Sequence, residues 1–122
     1  MTLVARSRFV RPVVVVALVL AAPVLAACGG PLAGAEALFR KGQYPATHQA
    51  LLALDADHRT WNDADRAEYA LYLGLTLLAL GDGGRARAWL GEAKAFEDAR
   101  PGSLGYGDLR RLSVAIASNP VP

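Results

Sequence analysis

The chain carries a single cysteine, Cys28, in 122 residues, so no intrachain disulfide can form. Its two histidines, His48 and His58, lie ten positions apart with no cysteine near them. That spacing makes no zinc site, and both imidazoles are expected at the surface. No segment alternates apolar and polar residues for long enough to be a strand. Gly81-Asp82-Gly83-Gly84 lacks the Lys-Ser/Thr pair and the preceding strand of a phosphate-binding loop, and reads as a turn between helices. Ser113 and Ser118 have no histidine and acid with which to form a nucleophilic site. These absences leave no catalytic constellation, and the chain is expected not to be an enzyme.

Charge of one sign is also scarce. The formal net charge is +2, but Arg6, Arg8 and Arg11 supply three of the thirteen basic residues within a start that has no acids. Without them, ten basic residues face eleven acidic ones. Nothing then favours nucleic acid as a partner. The three arginines are followed by the apolar run VVVVALVLAAPVLAAC, Val13 to Cys28. A basic start, an apolar middle and small residues at the end make a secretory signal, assigned here to residues 1–27.

The end of that signal, Leu25-Ala26-Ala27-Cys28, resembles the lipobox of bacterial lipoproteins. The resemblance implies that the Cys28 thiol receives a diacylglycerol and becomes the acylated first residue of the mature chain. Two or three acyl chains anchor stably, since each buried methylene is worth ~0.8 kcal/mol. Gly29 is not the aspartate that resembles an inner-membrane retention signal. The expected place is therefore the outer membrane, facing the periplasm, or the outer face of the plasma membrane in a single-membrane organism. Residues 28–34 read as a short tether, residues 35–118 as a folded domain, and residues 119–122 as a tail.

What the domain has in quantity is a nearly uncharged stretch, Tyr69 to Leu80, with one threonine, two tyrosines and otherwise apolar residues. A helix made from it is apolar on every face and must be covered on nearly all sides. It is too short for a bilayer and reads as a buried core helix. Asn62 or Asp63 suits its N-cap, and Asp65 and Glu68 suit the positive end of its dipole. Gly81 ends it, and Asp82 can cap the next helix, whose stripe is Ala86, Leu90, Ala93 and Phe96. Before it, Ala35 to Lys41 forms a helix with Leu38 and Phe39 inward. Pro45 to about Leu54 forms a second, with Leu51, Leu52 and Leu54 on its apolar side. Asp55 to Asn62 reads as a polar loop. A last helix runs from about Asp108 to Ala117, with Leu109, Leu112 and Ile116 on one side. The fold class is all-α.

The first helical pair maps on the second at a constant offset of 39 positions. Ala35 falls on Gly74, Leu38 on Leu77, Gly42 on Gly81, Thr47 on Ala86, Leu51 on Leu90 and Leu54 on Ala93. Self-similarity at such a period marks a helical array. The second copy resembles a tetratricopeptide repeat. The family's Leu-Gly is Leu73-Gly74, its turn glycine is Gly81, and the small residue of its second helix is Ala86. The family's aromatics are replaced by Ala70 and Leu90, its tyrosine by Leu77, and its proline comes late, at Pro101. The period also exceeds the family's ~34 residues, the polar loop taking up the difference. The architecture expected is a helical hairpin array of about two such repeats, with the last helix as a C-terminal cap.

The resemblance also implies a concave groove lined by the first helix of each repeat. By position that groove receives Glu36, Phe39 and Arg40 from the first copy and Glu68, Leu71, Leu75 and Leu78 from the second. Such a mixed surface suits an extended peptide or an amphipathic helix, and the same three leucines equally suit core positions under the first hairpin. Trp61 and Trp89 are further contact candidates. The expected function is a lipid-anchored envelope adaptor or scaffold, accessory to a secretion or outer-membrane assembly machine by analogy alone. Its partners are the membrane, through the lipid, and an envelope protein or a second copy. No cofactor beyond the covalent lipid and no metal is expected. The alternative is an envelope lipoprotein that binds a ligand or metal through the acidic loop 55–65. An EF-hand begun at Asp55 fails there, with Thr60 at the glycine position and Arg66 at the glutamate position. Cys28→Ser is expected to abolish acyl labelling and release the protein from membranes; unchanged membrane retention of that variant would refute the lipid anchor.

Overall fold

The computed structural model describes residues 29–120; the signal segment, Cys28 and the last two residues lie outside them. The described chain is all-helical. In order the helices are α1 (Ala33–Arg40), α2 (Tyr44–Ala53), α3 (Asp55–His58), α4 (Asp63–Ala79), α5 (Gly83–Ala99) and α6 (Tyr106–Ser118). Helix α4 contains the uncharged stretch and packs against each of the other five. Nine of its residues are buried, from Ala67 to Leu77. A helix apolar all round is stable in water only with such cover.

The polar groups on α4 are satisfied rather than excluded. Thr76 donates its hydroxyl to the Tyr72 carbonyl at 2.6 Å. The Tyr69 hydroxyl donates to the Leu51 carbonyl at 3.1 Å, which ties α4 to α2. The Tyr72 hydroxyl donates to Asp108 Oδ1 at 2.9 Å, which ties α4 to α6. A buried hydroxyl without a partner costs free energy, so the two tyrosine bonds select one seating of α2 and of α6. At the start of α4, Asn62 Oδ1 accepts from the Asp65 amide at 2.8 Å, the expected cap.

The offset of 39 has a structural counterpart. Helix α1 ends at Gly42, φ +75°, with the Gly42 amide bonded to the Phe39 carbonyl and the Gln43 amide to that of Leu38. Helix α4 ends at Gly81, φ +87°, with the Gly81 amide bonded to the Leu78 carbonyl and the Asp82 amide to that of Leu77. Both ends have the same paired bonds across a left-handed residue, the conformation that favours glycine. The matched pairs Ala35 and Gly74, Thr47 and Ala86, and Leu51 and Leu90 are all buried. Thr47 fits its apolar slot because its hydroxyl donates to the Gln43 carbonyl at 2.7 Å. The hairpins α1–α2 and α4–α5 thus share one turn geometry and these buried positions.

Helices α4 and α5 meet most closely at Gly74. A Cβ placed there would lie 2.8 Å from Leu90 Cγ and Cδ2 and 3.2 Å from the Leu90 amide nitrogen. After α5, Glu97 accepts from the amides of Gly102 and Leu104, each at 2.9 Å, and so closes the turn that buries Leu104. Helix α6 then packs Leu112 and Ala115 inward. The Asn119 side-chain amide donates to the Gly83 carbonyl at 3.3 Å, which ties the end of α6 to the start of α5.

Three expectations change. The tether is shorter, because Leu32 is 2% exposed and helix α1 begins at Ala33. The polar loop contains the one-turn helix α3, whose His58 is 6% exposed rather than at the surface. The His58 ring stacks on Tyr69 at 4.1 Å, its Nδ1 lies 2.7 Å from the Asp55 carbonyl oxygen, and Trp61 and Trp89 meet the pair edge-on. An aromatic cluster accepts a flat imidazole whose polar nitrogen finds a backbone partner. Leu52 is 51% exposed and turned away from the apolar side assigned to it. Gly74→Ala is expected to cost ~1–3 kcal/mol of stability in urea denaturation, because the added methyl overpacks Leu90.

Candidate functional site

A groove of about 630 Å³ opens on the faces of α1, α4 and α6. Phe39 and Tyr44 form one wall, Leu75, Leu78 and Ala79 the floor, and Gly107, Arg110, Arg111, Val114 and Ala115 the other wall. Phe39 is fixed by two edge-on contacts, to Tyr44 at 5.4 Å and Tyr72 at 5.3 Å between ring centroids. Leu75 and Leu78 are half-buried, so each has a face toward the opening. Val114 is 67% exposed and Tyr106, one residue before Gly107, is 79% exposed. Exposed apolar side chains along a concavity mark a contact surface more than a scattered set would.

Of the residues nominated from the sequence, Phe39, Leu75 and Leu78 come together in this groove. Leu71 does not. It is fully buried and belongs to the core. Arg40 is exposed and pairs with Glu36 at 3.4 Å. Glu36 and Glu68 are half-buried and lie toward the N-terminal end of the same helix faces, where Asp108 joins them from α6. Asp108 accepts from Tyr72 and, at 3.0 Å, from Arg111.

Burial is the largest effect on this acidic end. It pushes the Glu68 carboxyl up to about 7, helped by the charges of Glu36, Asp108 and Asp65. The Glu36 carboxyl is also raised, by burial first and then by Asp108, with Arg40 and Arg111 acting in the opposite direction. Glu68 therefore keeps its proton well above the pH at which an ordinary carboxyl loses it.

The acidic loop is used differently. Asp55 Oδ1 lies 3.5 Å from the Tyr69 hydroxyl, and Asp63 pairs with Arg100 at 3.6 Å. Among the described residues no three His, Cys, Asp or Glu side chains converge as a metal site would require. A smaller cleft of about 250 Å³, lined by residues from Asn62 to Ala64 and Arg100 to Ser103, includes that pair.

Sequence reasoning missed the second wall. It treated α6 as a lid with Leu109, Leu112 and Ile116 inward. The available signal was Val114, an apolar residue out of register with that stripe, together with Tyr106 ahead of the expected helix start. Tyr44 was missed because it precedes the proline that marked the start of α2. No protein-family model, curated protein or solved structure gives a significant match to this chain.

A carboxyl whose folded-state value is raised stabilises the fold least when it is charged. The Glu68 contribution is therefore neutral below about 4.5 and turns unfavourable as pH climbs to about 7. Glu68→Gln is expected to raise the melting temperature at pH above that value and leave it unchanged in acid, as read by thermal circular dichroism.

Proposed function

We propose that this protein is an adaptor of the bacterial cell envelope, held to a membrane by lipid on Cys28. It takes an amphipathic segment of another envelope protein into the groove between α1, α4 and α6. The observation that carries the reading is the groove itself. Three residues nominated as partner-binding by the repeat resemblance, Phe39, Leu75 and Leu78, lie side by side in one apolar concavity. A groove of this size bounded by helices suits a helix or an extended peptide. The shared geometry of the two hairpin ends, Gly42 and Gly81, supports a tetratricopeptide-like array, whose first helices form such a surface.

On this reading α6 is the helix that covers the last repeat, and its second task is to supply the outer groove wall. The signal-like start and the lipobox-like Leu25-Ala26-Ala27-Cys28 support a location on the outer membrane, facing the periplasm, or on the outer face of a single membrane. An accessory role in a secretion or outer-membrane assembly machine is the narrower form of the proposal, by analogy. The chemistry is recognition alone.

The test is site-specific photo-crosslinking in cells. A crosslinker at Val114 or Tyr44 is expected to give a discrete adduct, and one at Glu92 on the outside of α5 none. Leu75→Glu should cut the adduct by about tenfold, the effect of ~1.4 kcal/mol, with helical circular dichroism unchanged. The same adducts from both faces would overturn the proposal.

A further inference from the structure

Among the described residues, the charged groups that line the groove are two arginines of α6, Arg110 and Arg111, and no carboxylate lines it. They stand on two rows of the helix. Gly107, Arg111 and Ala115, four apart, form the inner row, which ends in the buried Ala115. Tyr106, Arg110 and Val114, also four apart, form the outer row. Arg111 is already engaged, since its Nη1 donates to Asp108 Oδ1 at 3.0 Å. Asp108 is the one acid of α6; its side chain is 15% exposed and also accepts from Tyr72. Arg110 differs. It is exposed and forms no ion pair within 4 Å among the described residues. It lies between Tyr106 and Val114, the two most exposed large apolar side chains among those residues.

Resting on the adaptor reading above, we propose that the occupant of the groove is an amphipathic helix with one aspartate or glutamate on its apolar face, and that Arg110 receives this carboxylate. The outer row presents an apolar group, a cation and an apolar group on successive turns, ~6 Å apart at 1.5 Å per residue. A helix laid along it matches that order when its acid has an apolar residue three or four positions away on each side. These flanking residues meet Tyr106 and Val114, while others reach Leu75 and Leu78 on the floor. Charge decides among the occupants. A basic residue at the central place sets like charges together and is selected against. A second copy paired through the middle of α6 sets Arg110 against Arg110 and fails for the same reason. A flat lipid surface neutralises Arg110 but rests on the rim and leaves the floor of the concavity uncovered. The apolar floor supplies most of the affinity, and the exposed cation selects the sign of the partner's charge and its register. An ion pair at such a rim changes affinity by about threefold to fivefold.

The test is selection from a displayed library of helical peptides on the full chain in phosphatidylcholine nanodiscs, followed by affinity measurement by fluorescence polarisation. The expected result is enrichment of aspartate or glutamate with apolar residues three or four positions to either side. Arg110→Gln should weaken these peptides about threefold to fivefold at low salt, and by less as salt is raised. Arg110→Glu should reverse the preference, so that a peptide with lysine in place of its acid binds that variant better than the parent peptide does. Leu78→Glu should remove binding of every selected peptide. Helical circular dichroism of all three variants, unchanged from the parent, separates loss of contact from loss of the fold. Selected peptides that need Leu78 but are basic or uncharged at the central place, or that ignore Arg110→Glu, would overturn this inference and leave the adaptor reading standing. A photo-crosslinker at Val114 that captures added phosphatidylglycerol in place of the peptide would overturn it in favour of a lipid surface. A selection that yields no peptide sensitive to Leu78→Glu would overturn both readings.

Discussion

The structure depends on the contact of Gly74 with Leu90. Helices α4 and α5 can share a core only if one backbone yields the room for a side chain, and at Gly74 no Cβ fits. That approach buries Leu90, Ala86 and Ala93 of α5 and leaves α4 free on its other sides for α1, α2 and α6. Close-packed interiors transmit such constraints, because a shift of one methyl width has nowhere to go. The hydroxyls of Tyr69 and Tyr72 then orient α2 and α6 around the same helix. Dispersion and burial supply the attraction, and the two tyrosine hydrogen bonds from α4 supply the direction.

Much of this arrangement was written in the chain. The central helix, its cap at Asn62, its stop at Gly81 and the correspondence of Gly42 with Gly81 follow from apolar patterning and from the φ that glycine permits. These are local physics. What was not legible is tertiary. His58 looked like a loop histidine because four polar neighbours surround it in sequence, yet Tyr69 and Trp89 reach it from elsewhere in the fold. Leu71 and Leu75 are four apart on one helix face, and only the position of α1 and α2 decides that the first is core and the second opens on a groove. The acidic end brings together residues 36, 68 and 108, from three helices, and no spacing rule connects them.

The groove and the acidic cluster outside its lining are built by different means. Phe39, Leu75 and Leu78 are placed by the repeat geometry, so their positions follow from hairpin packing. The acidic cluster depends instead on α6, whose Asp108 is held by Tyr72 and Arg111. A helix that closes the core on one side and completes a charged surface on the other couples stability to recognition. Substitutions on α6 will therefore be hard to sort into one effect or the other unless the fold is followed independently.

The burial of Leu32 sets a geometric limit on the anchored protein. With Leu32 locked in the core, only Gly29, Gly30 and Pro31 separate it from Cys28. Four Cα steps span at most ~14 Å of extended chain. If Cys28 carries the lipid, the domain has no leash with which to search the space beyond the headgroups. Under the proposed lipid anchor, lateral diffusion in the membrane plane would be its means of encounter. Under the same proposal, a segment that fills the groove would have to come down to the membrane surface.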